Sequence, residues 1–452
     1  MFQAFYSEKA LSPDYRSLLT HTDKRALSNF ALLSFLNLGN IYFDQSHTPS
    51  IHKIPGPKIV HLTSDSATRL ISRKTPLFSF TGDAFQDFVQ YFSEAAPALK
   101  NHNVITDLTG GSDSRLIAAF MKYLDISFEA TVFGDKTDPD VKISSRVARQ
   151  LNCDLSVVEP DNTLQKNRIQ KLFNLSDGLC DLLSLAGLQQ VAESKKKSGG
   201  TLSINGGGGA LYKDFWWLQD FPFYRRSKSN LKKLYSWRWN HQPFPLELLS
   251  EHLAESQKKF QNRFIKKLAP YDAGMNTKTY DAIFMRVKMH EIVGRSNTSE
   301  NRILPAYSPL LEYTPAKIGF NTPRLYRWYN YLERTLVSRL APEVSILPTT
   351  NGGNSLSNKP LYLLKDFPGY VSSKSARLFH KITGKQTPEK QNRLTLLGER
   401  LKKSPVFNDA FSVLKSENII ADDISTEQIP VALAGRVFTL GRLINEIKNT
   451  GK

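Results

Sequence analysis

The sequence predicts an α/β fold: a parallel sheet with helices on both faces, a small α+β segment before it and a mostly helical region after it. Three observations carry this. From residue 84 onward, short apolar runs alternate with amphipathic helical stretches, the order that a parallel sheet with crossover helices requires. Two glycine clusters, Gly110-Gly111 and Gly206-Gly207-Gly208-Gly209, directly follow two of the strand-like runs. In open parallel sheets ligands bind beyond the carboxyl ends of the strands, so both clusters fall where a ligand belongs. Finally, 40% hydrophobic and 23% charged residues are the composition of a folded chain, and 452 residues are too many for one ordinary core.

Three stretches differ in texture. Residues 1–83 mix apolar runs with turn signals (Pro55-Gly56-Pro57, Ile59-Val60-His61-Leu62, Thr81-Gly82), which suggest a helix followed by small strands. Residues 84–355 carry the alternation. Phe85 to Ala98 is a helix candidate and Val104 to Leu108 a short buried strand ending at glycine. Ser114 to Tyr123 is amphipathic, with Leu116, Ala119, Phe120 and Tyr123 at helical spacing. Phe128–Phe133 is a second strand, ending at Gly134, and Val141 to Leu151 a helix with Ile143, Val147 and Leu151 on one face. Leu155 to Val158 is a third strand, Leu182 to Ala192 a helix, and Thr201 to Ile204 a fourth strand running into the four glycines. Thr349 to Asn354 is a loop, and residues 356–452 are mostly helical.

Composition excludes several classes. The two cysteines, Cys153 and Cys180, form no C-x-x-C pair, which argues against a zinc ribbon, an iron–sulfur cluster or a redox dithiol. Isolated thiols and a start without a basic region and long apolar run predict a cytoplasmic protein. The apolar stretch Ala31 to Phe43 is broken by Asn37, Gly39 and Asn40, so no membrane span is expected. The net charge of +18 attracts phosphorylated molecules, nucleic acid or anionic lipid. Its basic pairs and triplets, among them Lys195-Lys196-Lys197, Arg225-Arg226 and Lys402-Lys403, are scattered and read as solvated helix faces, so nucleic acid is the disfavoured partner.

The chemistry concentrates in Leu108-Thr109-Gly110-Gly111-Ser112-Asp113-Ser114. Between a strand and a helix, two glycines let the backbone turn sharply and bring N–H groups to an anion, and the helix adds unpaired N–H groups and the positive end of its dipole. Thr109, Ser112 and Ser114 supply hydroxyls and Arg115 a fixed positive charge. Asp113 is out of place in a pure anion site unless it holds a divalent cation that bridges phosphate oxygens. The bland alternative is an ordinary strand-to-helix turn capped by Asp113 or Ser112. The segment lacks G-x-x-x-x-G-K-[ST] and is no Walker loop.

Asp107 to Arg115 resembles the S-G-G-x-D-S pyrophosphate loop of the asparagine synthetase family, part of the wider PP-loop ATP pyrophosphatases. The resemblance implies a PP-loop (adenine nucleotide alpha hydrolase-like) fold. It also implies that the loop grips the pyrophosphate of ATP, that Asp113 binds Mg²⁺, and that Val132 and Gly134 fall where adenine sits. Gly294 to Leu311 is similar to the family's E-x-R-x-P-F-L-D segment, which puts Glu300 and Arg302 on the acceptor-substrate side; read alone, they are as readily surface charges. Residues 24–83 read like the family's linker between glutaminase and synthetase domains, so the resemblance covers residues 24–355.

Departures are equally specific. Phe2 stands where the family's glutaminase has its cysteine, so the chain looks like a synthetase half alone, with ammonia from solution, a separate subunit or an amine substrate. Gly209 and Ala210 replace the acidic pair of the family's G-x-G-x-D-E-x-F segment. Gly206, Gly207 and Gly208 are left as a backbone approach to phosphate or as a plain turn, with Asp214 the nearest other carboxylate. The family's adenylate lysine would fall near Asn330, where none stands; Arg334 or Lys359 could replace it. The function expected is an ATP-dependent, AMP-forming ligase joining a carboxylate to ammonia or an amine. The rivals are a degenerate nucleotide- or partner-binding relative, and an RNA-modifying PP-loop enzyme.

Overall fold

The computed structural model describes residues 2–8, 10–21, 26–54, 58–62, 68–72, 80–217, 228–350, 353–356 and 388–450. The Pro55-Gly56-Pro57 turn, the Arg225-Arg226 pair and Lys359 lie outside them.

Near the amino end, β1 (Phe5–Tyr6), β2 (Leu11–Ser12) and β3 (His52–Lys53) make a small antiparallel sheet with β1 central. Helix α1 (Asn29–Leu38) starts where the Ser28 side chain accepts the Ala31 N–H, and stops at Gly39 in the left-handed region. Every residue from Ala31 to Asn37 is buried, so this apolar stretch is an internal helix. An antiparallel pair, β4 (Lys58–Leu62) and β5 (Thr68–Ser72), follows.

The centre is a five-stranded, all-parallel sheet of β6 (Val104–Asp107), β7 (Phe128–Phe133), β8 (Leu155–Val158), β9 (Leu202–Ile204) and β10 (Ala306–Tyr307), in the order β10-β9-β6-β7-β8. Val104, Ile105 and Thr106 are all buried, as are Ala130, Thr131 and Val132. Successive residues of a strand point to opposite faces, so three buried in a row mean that both faces are covered. The helices before and between the strands are α2 (Ala84–Leu99), α3 (Ser112–Tyr123), α4 (Pro139–Leu151), α5 (Lys166–Ser176) and α6 (Ala186–Lys197). After β9 come α7 (Leu231–Arg238), α8 (Glu251–Leu268), α9 (Asn276–Ile283), α10 (His290–Asn301) and α11 (Tyr313–Asn321). The molecule is α/β, as its alternation predicts.

Two elements escape sequence reading, and one is shifted. α5 is absent from the expectation, and β10 is two residues long, too short to show a period. The stretch expected as one helix from Leu182 begins as a 3₁₀ turn, Leu182–Leu185, capped by the Asp181 side chain, which accepts the Leu183 N–H; α6 then runs from Ala186 to Lys197.

Beyond α11 lie the helices Tyr331–Leu340, Pro388–Lys402, Pro405–Ser416 and Ala434–Asn449. The last two pack on each other, and Ala434–Asn449 also packs on α1 and the Leu182–Leu185 turn. Arg436 ties them by donating to the carbonyls of Leu36 at 2.8 Å and Asn37 at 2.9 Å. One buried apolar cluster runs from Phe5 to Ile447, so all three sequence stretches share a core. No described helix is long and apolar enough to cross a membrane.

Candidate functional site

β6 is the central strand of the sheet, and its carboxyl end carries the glycine loop. Leu108 is fully buried and continues the ladder by donating to the Thr131 carbonyl at 2.9 Å. The chain then turns. Thr109 N–H donates to Ser114 Oγ at 2.9 Å, Gly111 N–H to Thr109 Oγ1 at 3.2 Å, and Gly110 N–H to Asp140 Oδ1 at 3.0 Å. Helix α3 opens with Gly111 as N-cap and no side-chain cap, which leaves its first turn dependent on something other than a capping side chain. Thr350 comes over it: its N–H donates to the Gly110 carbonyl at 3.0 Å. A Cβ on Gly110 would sit 2.4 Å from Thr350 Cγ2, so this closure needs glycine there.

The second glycine cluster packs onto the first. An added Cβ on Gly209 would lie 2.1 Å from Asp113 Cγ, and one on Gly206 3.0 Å from the Ser114 amide nitrogen. Gly208 has φ +95°, where other residues are strained, and forms the turn into a 3₁₀ segment, Gly209–Tyr212. Any side chain at 209, acidic or not, would have to displace the Asp113 carboxylate. In this arrangement the space an acidic side chain at 209 would need holds the Asp113 carboxylate.

Beyond that turn lies a residue sequence reasoning passed over. Lys213 forms an ion pair with Asp113; its Nζ is 3.3 Å from Glu333 Oε2 and 3.0 Å from Ser112 Oγ. Ser112 Oγ donates to the same Glu333 oxygen at 2.8 Å. Glu333 is fully buried on the helix Tyr331–Leu340, whereas a third of the Asp113 side chain reaches solvent. Burial lowers the Lys213 pKa, but Asp113 and Glu333 outweigh it and hold the ammonium above its usual range. Burial, reinforced by Asp113, drives the Glu333 carboxyl well above its usual range despite Lys213. The signal for Lys213 was a cation three residues past Ala210; Asp214 beside it is buried. Arg334, next to Glu333 on the same helix, donates from its guanidinium to the Leu356 carbonyl at 3.2 Å.

This bears on the expected Mg²⁺. Among the described residues no group of three or more His, Cys, Asp or Glu side chains is placed to hold a metal. Of the carboxylates at the loop, Asp113 and Glu333 already share an ammonium and Asp140 accepts the Gly110 N–H. A metal held by the protein between Asp113 and Glu333 does not fit unless Lys213 leaves.

Other expected site residues fall elsewhere. The Arg115 guanidinium is fully buried and donates to the carbonyls of Val344 (3.2 Å), Leu347 (2.8 Å) and Pro348 (2.6 Å); it anchors the segment leading to Thr350 instead of offering charge to the loop. Glu300 accepts from Ser203 Oγ at 2.6 Å and lies 3.8 Å from the buried Lys195, which pairs with Asp107 at 2.6 Å. Burial raises the Glu300 pKa, Lys195 opposes this and Asp107 adds to it; the carboxyl ends above its usual range. Lys195, from the triplet read as a solvated face, is therefore a core residue against β6 and β9. Arg302 turns the other way, to an ion pair with Asp14 and to Asp177 at 3.2 Å, and so does not share a site with Glu300. At the end of β7, Val132 is buried and Gly134 N–H donates to the Val158 carbonyl at 3.1 Å. Arg393 covers that end through ion pairs with Asp135 and Asp138 and a cation–π contact with Phe133.

A hollow of about 500 Å³, lined by Asn103, Phe128, Arg149 and Asp154 among others, opens at the amino ends of β6 and β7. Parallel sheets bind ligands at the opposite end, which places the candidate site at the loop. In comparison with known proteins, no family model matches the chain, and no significant match to a curated protein was found.

Proposed function

We propose that the chain is a nucleotide-dependent ligase of the PP-loop type, resembling the synthetase half of the asparagine synthetase family. One observation carries this reading: the Thr109–Ser114 turn sits at the carboxyl end of the central parallel strand, opens an uncapped helix and is met by a second glycine turn at Gly206–Gly209. In such a site the pyrophosphate of ATP rests on the first turn of α3 and the hydroxyls of Thr109, Ser112 and Ser114. A substrate carboxylate attacks the α-phosphorus, the bond to the bridging oxygen breaks and pyrophosphate leaves with its electron pair. Ammonia or an amine then attacks the acyl carbon, and AMP departs. The protein's contribution is charge stabilisation of the departing pyrophosphate and alignment of the attack.

A second reading, a nucleotide-binding protein without catalysis, is favoured by a specific feature: Asp113 is engaged by Lys213, and Thr350 closes on Gly110. Two measurements separate the readings. Calorimetric titration with ATP should give saturable binding that Asp113→Ala alters; absence of ATP binding in the unaltered protein sinks both. Pyrophosphate release, assayed with ATP and a panel of carboxylates and amines, should rise above background for the ligase and stay at background for the degenerate form. An RNA-modifying role requires salt-sensitive tRNA binding, which a filter assay across salt concentrations tests.

A further inference from the structure

We propose that Lys213 is the loop's resident cation: its ammonium takes the place that a protein-held divalent metal would occupy and is the positive group that meets the phosphates of a bound pyrophosphate or nucleotide. The inference rests on the reading of Thr109–Ser114 as a phosphate loop and adds to it how charge is balanced there.

Three independent features support it. First, Lys213 lies at the loop itself. Its Nζ touches Asp113, in the first turn of α3, and reaches Ser112 Oγ at 3.0 Å and Glu333 at 3.3 Å, so three donors are aimed by three groups from two helices. Second, the glycines opposite are fixed by contact. With Gly209 against the Asp113 carboxylate and Gly206 against the backbone of Asp113 and Ser114, a side chain on that turn has to move the Asp113 carboxylate before it can join a metal shell. Third, the lysine is only partly enclosed: its side chain is 12% exposed, as against none of Glu333, and Asp113 beside it is 32% exposed, so the ammonium borders the open side of the loop. An ammonium rotates its three N–H groups freely and can exchange the 3.3 Å contact with Glu333 for a phosphate oxygen while Asp113 keeps it in place. A divalent ion bound by few carboxylates leans on substrate phosphates; here the fixed ammonium already supplies positive charge at the loop.

Isothermal titration of the full chain with inorganic pyrophosphate, in excess EDTA and again with added Mg²⁺, tests this. The unaltered protein should bind pyrophosphate in EDTA. Lys213→Met should weaken that binding about tenfold or more, the loss of one charge-assisted contact, whereas Lys213→Arg should stay within a few-fold. Lys213→Gln, which keeps a hydrogen-bond donor on a side chain of intermediate length and removes the charge, should weaken it likewise. It decides the matter if Lys213→Met fails to fold. Binding that appears only with Mg²⁺, or equal affinity in EDTA of the unaltered protein and either Lys213→Met or Lys213→Gln, would overturn the proposal. If the unaltered protein binds pyrophosphate under neither condition, the phosphate-loop reading itself falls.

Discussion

Asp113, Lys213 and Glu333 place two carboxylates around one ammonium, with Ser112 bridging to the deeper one. Burial and the neighbouring Asp113 push the Glu333 carboxyl well above its usual range. A carboxyl raised on folding binds its proton more tightly in the native than in the unfolded state. Its contribution to stability is therefore full below the unfolded value, about 4.3, and declines as pH rises through the folded one. The decline approaches about 1.4 kcal/mol per pH unit within that window. Glu333→Gln removes it. Urea unfolding of both proteins from pH 4 to 8 should show the variant gaining on the unaltered protein as pH rises; parallel curves would show that Glu333 is ionised throughout.

At the scale of elements, the loop is held by a distant strap. Arg115, one turn into α3, grips three carbonyls between Val344 and Pro348, and the chain they belong to continues to Thr350, which bonds Gly110. Arg115→Met leaves these carbonyls without that donor and should cost at least about 3 kcal/mol in chemical unfolding. Arg115→Lys should recover little of it, because an ammonium cannot span three acceptors as a planar fork does. Hydrogen exchange at Thr350 should accelerate in both variants. Unchanged exchange there, together with unchanged stability, would remove Arg115 as the anchor.

At the scale of the whole molecule, the last helix is part of the core. Ala434–Asn449 packs on α1 and the Leu182–Leu185 turn, and Arg436 caps α1. Unfolding in denaturant should therefore give one coincident transition by tryptophan fluorescence and circular dichroism. A chain ending at residue 356 should lose that transition, since it exposes the apolar face that Val437, Leu440 and Leu443 cover. Two separated transitions in the full chain, or an unaltered one in the shortened chain, would mean that the carboxyl-terminal helices fold independently.

The parallel sheet and the loop on its central strand were legible because their signals are local. Strand and helix periods lie within a few consecutive residues, and Thr109 to Ser114 holds its glycines, hydroxyls and carboxylate in one turn. The site's charge arrangement was not legible, because it depends on separations no local pattern spans: Lys213 meets Ser112 across 101 positions and Glu333 meets it across 221. Composition likewise marked Lys195 as one of three solvated lysines and Arg115 as charge for the loop, while packing buried the first against Asp107 and turned the second toward backbone carbonyls. Residue type and order decide which backbone forms. Where a charged side chain finds its partner is decided by burial, since a charge removed from water must be paired by whatever the fold brings within reach.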